Sequence, residues 1–258
     1  MSPIVLPKST PEVKRLHEFE PDGFEELTGI KMPAAFWSLF KEKVSVGMST
    51  TGRSYHSAFS GVRIAIGTRY PKGESVVRKI VAHEFGHAYH HQHKLLRRGM
   101  TPDKTFEDFF QKARKKYFGF RARGKEAEEF AEKVRFFKVT NGRWRMDTID
   151  DLDAWDDLNI KISEDAGLVL GSKEQKELMY AMIDDLGAYT MGKFGFGHDK
   201  VYYKANKGYG GRVEAFAHMF EYIHHRRNPY TEHFFPGLQD ELEEVYKKIL
   251  QQVADENP

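Results

Sequence analysis

Apolar positions recur every three or four residues over several long stretches of the chain, the spacing that places them on one side of an α-helix. From Glu74 or Ser75 onward, Val77, Ile80, Val81 and Ala88 form such a side, and Gly99 is the expected terminator. Residues 101–118 repeat the pattern through Phe106, Phe109 and Phe110. Residues 173–191 do so through Leu178, Met179, Met182, Ile183 and Leu186, and residues 238–253 through Leu242, Val245, Ile249 and Val253. Shorter helices are expected at 33–46, around Phe36, Leu39 and Phe40, and at 213–225. The β-branched run 62–66, closed by Gly61 and Gly67, predicts a strand. Pro3, Pro7, Pro11, Pro21 and Pro33 make the first 35 residues an arm laid over the main body. The Gly-rich stretches 47–61 and 192–211 read as a loop or hairpin and as a structured loop. The expected fold is α+β and mainly helical, with a small β-sheet. Residues 1–54 form the arm and short elements, and 55–258 form one domain with a charged helical insertion at about 101–172.

Composition narrows the chemistry. The 258 residues are 40% hydrophobic and include 20 Phe and 12 Tyr, enough for a packed core. The formal charge of +2 gives no footprint for a nucleic-acid binder. The basic residues Lys112, Arg114, Lys115 and Lys116 are matched by an acidic run at 147–157 around Trp155, which suggests that the two neutralise each other. Nucleic-acid contact through 112–123 is therefore the weaker reading. The chain holds no cysteine, so disulfides and thiolate metal sites are excluded and any metal must be held by His, Asp or Glu. The N-terminal residues lack the charged start and apolar run of a signal peptide, and no window reaches the length of a membrane span. A soluble protein with no membrane partner is expected.

His83-Glu84-Phe85-Gly86-His87, an H-E-x-x-H string, lies within the first long helix pattern. Histidines four residues apart share a helix face and can grip one Zn²⁺, while the glutamate beside the first can work on a zinc-bound water. A hydrolytic zinc needs a third protein ligand and an open position. The chain lacks the metzincin continuation after His87. His91 shares the face, but three histidines along a straight helix span about 12 Å, too far for one ion. His90, His91 and His93 are expected to form a solvated helix end. Glu214 is the preferred third ligand, because Ala215 and Ala217 beside it would let its helix approach closely; Glu221, seven residues on, is the rival. Asp184 or Asp185 is a candidate to accept the other ring N–H of a metal-bound histidine.

These residues carry a resemblance. Glu214-Ala215-Phe216-Ala217, preceded by Tyr209-Gly210 and paired with the His83–His87 motif, resembles the gluzincin peptidases. It is similar to the anthrax-lethal-factor-like peptidase domain and, more closely, to the zincin-like domain of tailed-phage minor head or head-morphogenesis proteins. The similarity covers roughly residues 55–100 and 175–255, including Phe234-Phe235-Pro236-Gly237-Leu238. It implies a zincin-like fold whose sheet lies beside the metal-binding helix. The strand at 62–66 would then be the edge that pairs with an extended substrate. It further implies one Zn²⁺ per chain on His83, His87 and Glu214, Glu84 as general base, and Tyr209 stabilising the oxyanion. The spacing from Tyr209 to Glu214 is shorter than in the lethal-factor-like pattern, so Tyr202, Tyr203 and His198 stay open for that role. The function implied is a zinc endopeptidase acting on a peptide or protein substrate, phage-encoded, located in the host cytoplasm or virion, with capsid or portal proteins as partners. The competing expectation is a catalytically silent head-morphogenesis protein that uses the same fold as a metal-stabilised interaction module.

Overall fold

Valines in alternation make the chain extended before they make it helical. The computed structural model describes residues 17–18, 44–49, 55–57, 62–67, 74–92, 101–139, 146, 149–195, 198 and 200–255. Within it, β1 (His17–Glu18) pairs antiparallel with β2 (Val44–Ser49), and β2 runs parallel to β4 (Val62–Gly67). Strand β3 (Tyr55–Ser57) returns antiparallel along the other side of β4, giving the order β1-β2-β4-β3. Two expectations change here. Val44 and Val46, assigned to the end of a helix, lie in β2, where β-branched residues fit the pleat. Strand β4, expected at the edge, is paired on both sides, because residues 55–57 fold back on it; β3 and β1 are the edges among the described strands. The arm other than His17–Glu18, the rest of the 33–46 helix and Gly99 lie outside the described residues.

The remainder is helical: α1 (Glu74–Gln92), α2 (Thr101–Lys116), α3 (Lys125–Lys133), a 3-10 turn (Arg135–Phe137), α4 (Leu152–Asp165), α5 (Lys173–Thr190), α6 (Lys200–His224), α7 (Pro229–Phe234) and α8 (Leu238–Asp255). Among the described residues no helix is long and apolar enough to cross a membrane. The chain divides into two compact units. One comprises Met1–Thr105, Phe216–Arg226 and Tyr246–Pro258; the other comprises Phe106–Ala215 and Arg227–Val245.

In the first unit α1 packs on β3 and β4. Val81, Ala82, Phe85, Ala88 and Tyr89 of α1 are fully buried, as are Phe216, Ala217, Met219 and Phe220 of α6. The Phe220 ring lies 5.2 Å from Tyr89 and 5.3 Å from Tyr246, tying α1, α6 and α8 into one core.

The second unit is built on aromatic rings. Phe118 stacks on Tyr189 at 4.3 Å with an interplanar angle of 1°, and Phe235 lies 4.5 Å from Phe118. Trp155 of the acidic run is buried, 5.3 Å from both Phe136 and Phe137. Among the described residues the partners of the basic run lie outside that acidic segment. Lys112 and Lys116 pair with Glu241, and the Arg114 Nε–H donates to the Tyr189 carbonyl (2.9 Å) with its guanidinium 3.8 Å over Phe120. The reason is packing: burying Trp155 turns the acidic helix by its apolar side, so its carboxylates stay in solvent. Asn228 is the polar anchor of this unit, capping α7 through the Tyr230 N–H (3.0 Å) and donating to the Leu178 carbonyl (2.7 Å).

Candidate metal centre

Helical spacing on α1 and α6 brings the ionisable residues of this centre together. On α1, His83 and His87 are one turn apart with ring centroids 4.9 Å apart and planes at 88°; both are half-buried, and Glu84 between them is buried. On α6, Glu214, His218 and Glu221 follow at spacings of four and three residues, which puts them along one face, and all three are buried. The two helices approach where their side chains are smallest. A Cβ added to Gly86 would stand 2.7 Å from the Cα of Ala217 and 3.2 Å from the Cβ of Phe220.

Among the described residues, two groups of side chains could hold a metal ion, and they share His83. One is His83, His87 and Glu214; the other is His83, His218 and Glu221; in each, one ligand atom per residue lies within 4.8 Å of the others. Around four-coordinate zinc, bonds of about 2.1 Å put ligand atoms about 3.4 Å apart, so small side-chain rotations suffice in the first group. Two neutral imidazoles and one carboxylate also form a standard donor set for a hydrolytic zinc. The second group is occupied differently. Lys79 Nζ lies 3.6 Å from Glu221 Oε1, while His218 Nδ1 and His83 Nδ1 lie 3.4 and 3.8 Å from Oε2. Burial alone would raise the pKa of Glu221; the Lys79 ammonium and the two imidazoles outweigh it and bring the carboxyl down to about 2.

Glu214 has its own surroundings. The Tyr202 O–H donates to Glu214 Oε1 (2.7 Å), and His198 Nε2 lies 3.3 Å from the same oxygen. Twelve residues of straight helix would rise about 18 Å, beyond the reach of these two side chains. Helix α6 therefore folds back sharply between Tyr202 and Gly210. A Cβ on Gly210 would collide with the Tyr202 carbonyl, so only glycine fits that fold-back. Of the stretch 192–211 expected as a structured loop, residues 200–211 are thus helical with an abrupt bend, while 192–195 and 198 are not helical. The rings of His198 and Tyr202 stack at 4.0 Å, so the pair approaches Glu214 as one unit.

The rivals for the oxyanion role now separate. Tyr203 is fully buried; its hydroxyl accepts from the His198 backbone N–H (2.9 Å) and donates to Asp184 (3.4 Å), and burial raises its pKa. It holds the backbone at His198. Tyr202 and His198 both lie against Glu214. Tyr209 lies on α6, but its side chain is outside the described residues. His90, expected in a solvated helix end, is buried, with its ring 5.9 Å from Phe216; seven residues after His83, it faces α6 as His83 does. The side chain of His91, and all of His93, lie outside the described residues. Glu221 places a carboxylate beside His83, and Asp184 accepts from the Tyr203 hydroxyl. His218 and Lys79 were not singled out from the sequence, although His218 stands at i+4 from Glu214, the spacing that made His87 a candidate. No family model, curated protein or solved structure matches the chain.

Proposed function

We propose that this protein is a zinc-dependent endopeptidase of gluzincin type with a zincin-like fold. The observation that carries the reading is the group His83, His87 and Glu214, with Glu84 between the two histidines. His83, His87 and Glu214 would hold the zinc. Zinc bound there supplies a Lewis acid that polarises a carbonyl and acidifies water. Glu84 accepts a proton from the water that attacks the peptide carbon and passes it to the amine nitrogen as the C–N bond breaks. We assign the oxyanion donor to Tyr202, whose hydroxyl already points at Glu214 Oε1, with His198 stacked behind it. An extended substrate would pair along β3, the edge strand that leads by way of β4 to the metal helix.

The test joins stoichiometry to cleavage. Elemental analysis of the purified chain should give about one zinc, lost in His83→Ala and Glu214→Ala. Glu84→Gln should retain zinc and lose cleavage of a peptide library read by mass spectrometry. Full cleavage by Glu84→Gln would refute the mechanism, and zinc retained by Glu214→Ala would refute the ligand set. Zinc uptake by the wild type with no cleavage of any peptide would favour a metal-stabilised interaction module.

A further inference from the structure

Glu221 lies in a setting that a surface glutamate never has. It is 4% exposed and its two oxygens face three nitrogens. Oε1 faces the Lys79 ammonium; Oε2 faces the Nδ1 atoms of His218 and of His83. The ring planes of His83 and His218 meet at 62° with centroids 4.6 Å apart, so both imidazoles turn the same ring position toward one carboxylate. A carboxylate at Nδ1 favours the tautomer that carries its proton there and leaves the Nε2 lone pair outward. Lys79 already supplies the charge that a cation would bring to Glu221, which argues against a second metal in the group His83, His218 and Glu221.

We propose that Glu221, held in place by Lys79 and His218, is a positioning residue that fixes His83 with its proton on Nδ1 and so presents Nε2 to the metal. At 3.8 Å the His83 contact is longer than a hydrogen bond; it would shorten to one as a cation on Nε2 made the Nδ1 proton more acidic. The proposal rests on the metal centre above and concerns what prepares one of its ligands.

The experiment uses the full chain. Histidine nitrogens are followed by long-range ¹H–¹⁵N correlation in metal-free protein at pH 8, with His83→Gln to assign the ring, and zinc affinity is measured by competition with a chromophoric chelator. Wild-type His83 should show the Nδ1–H tautomer. Glu221→Gln should still bind one zinc, 10- to 100-fold more weakly, with His83 in mixed tautomers; that range is usual for loss of a carboxylate behind a metal-bound histidine. An Nε2–H tautomer in the wild type overturns the proposal, and this reading needs no variant to fold. Unchanged affinity and tautomer in Glu221→Gln overturn it as well. A folded Glu221→Gln that takes no zinc, or a wild type that binds two ions and loses one in the variant, makes Glu221 a ligand and also overturns it. A wild type that takes no zinc refutes the metal centre instead, and the tautomer of His83 then decides the positioning contact alone.

Discussion

Replacing Gly86 with alanine tests whether the close approach of α1 and α6 is what builds the centre. The added Cβ would lie 2.7 Å from Ala217 Cα, 3.3 Å from the Ala217 carbonyl oxygen and 3.2 Å from Phe220 Cβ. Ordinary carbon contacts begin near 3.5 Å, so the helices must part by about 0.8 Å. Overpacking of this kind costs about 1–3 kcal/mol, and the upper end applies because the obstructing atom is backbone. Alanine recovers about 1 kcal/mol over glycine inside a helix. The expected net loss is about 2 kcal/mol, or a fall of about 4–8 °C in Tm for a chain of this size. The same displacement exceeds the ~0.5 Å tolerance of a metal site, and zinc affinity should drop about tenfold. Adding Ala217→Gly should not rescue either property, since the clash is with Cα and not with the methyl group. Thermal unfolding and chelator competition measure both effects. A Gly86→Ala protein that melts at or above the wild-type temperature and binds zinc equally well would refute the reasoning, because helix propensity alone would then have decided the outcome.

Three other expectations come from separate parts of the structure. Tyr202→Phe should leave zinc content unchanged and lower the peptidase kcat about 10²-fold, the usual loss for one oxyanion donor; unchanged turnover would remove Tyr202 from that role. His224 is half-buried beside the Tyr246 hydroxyl (2.9 Å), and desolvation lowers its pKa from 6.5 to about 4. The unfolded imidazole therefore binds more protons between those values. Its contribution is complete above pH 6.5 and is lost as pH falls toward 4, by at most about 3 kcal/mol. Urea midpoints at pH 7 and 4.5 should show a smaller loss in His224→Gln than in the wild type, and equal slopes would reject the assignment. Asn228→Ala removes the α7 cap and strands the Leu178 carbonyl, and should cost about 2–3 kcal/mol in urea unfolding; a loss below about 0.5 kcal/mol would show that water replaces both bonds.

What the sequence made legible follows the range of the forces involved. The helices at Lys173–Thr190 and Leu238–Asp255 match their apolar periodicity almost to the residue, because that pattern is local and each helix buries one side. His83 and His87 could be paired from spacing alone for the same reason. The small residues Ala215 and Ala217 correctly marked a close helix approach, but its other half, Gly86, sat unread inside the motif. The fold-back of α6 was missed because it depends on Gly210 meeting the Tyr202 carbonyl, a contact that no periodicity records. The partner of the basic run was missed because charge complementarity along a sequence is blind to distance. Glu241 lies 125 residues from Lys116, whereas the nearer acidic segment is oriented by the burial of Trp155.

The arrangement on α6 constrains how the two glutamates can share the work. Glu214 and Glu221 are seven residues apart, about 10 Å along the axis, so one ion cannot take both. His83 belongs to both groups, and its two ring nitrogens allow each glutamate to serve a different one. Glu214 would then contribute the single negative charge of the proposed ligand set. Glu221 is balanced by Lys79 and adds no net charge to the ion's surroundings. An ion on two neutral imidazoles and one carboxylate keeps a net positive charge, which is what electrophilic chemistry requires. Were Glu221 a ligand as well, the ion would be neutralised and the half-buried Lys79 ammonium left opposite it without its counter-charge. The position of one lysine therefore argues that Glu214, and not Glu221, is the carboxylate that would face a metal held here.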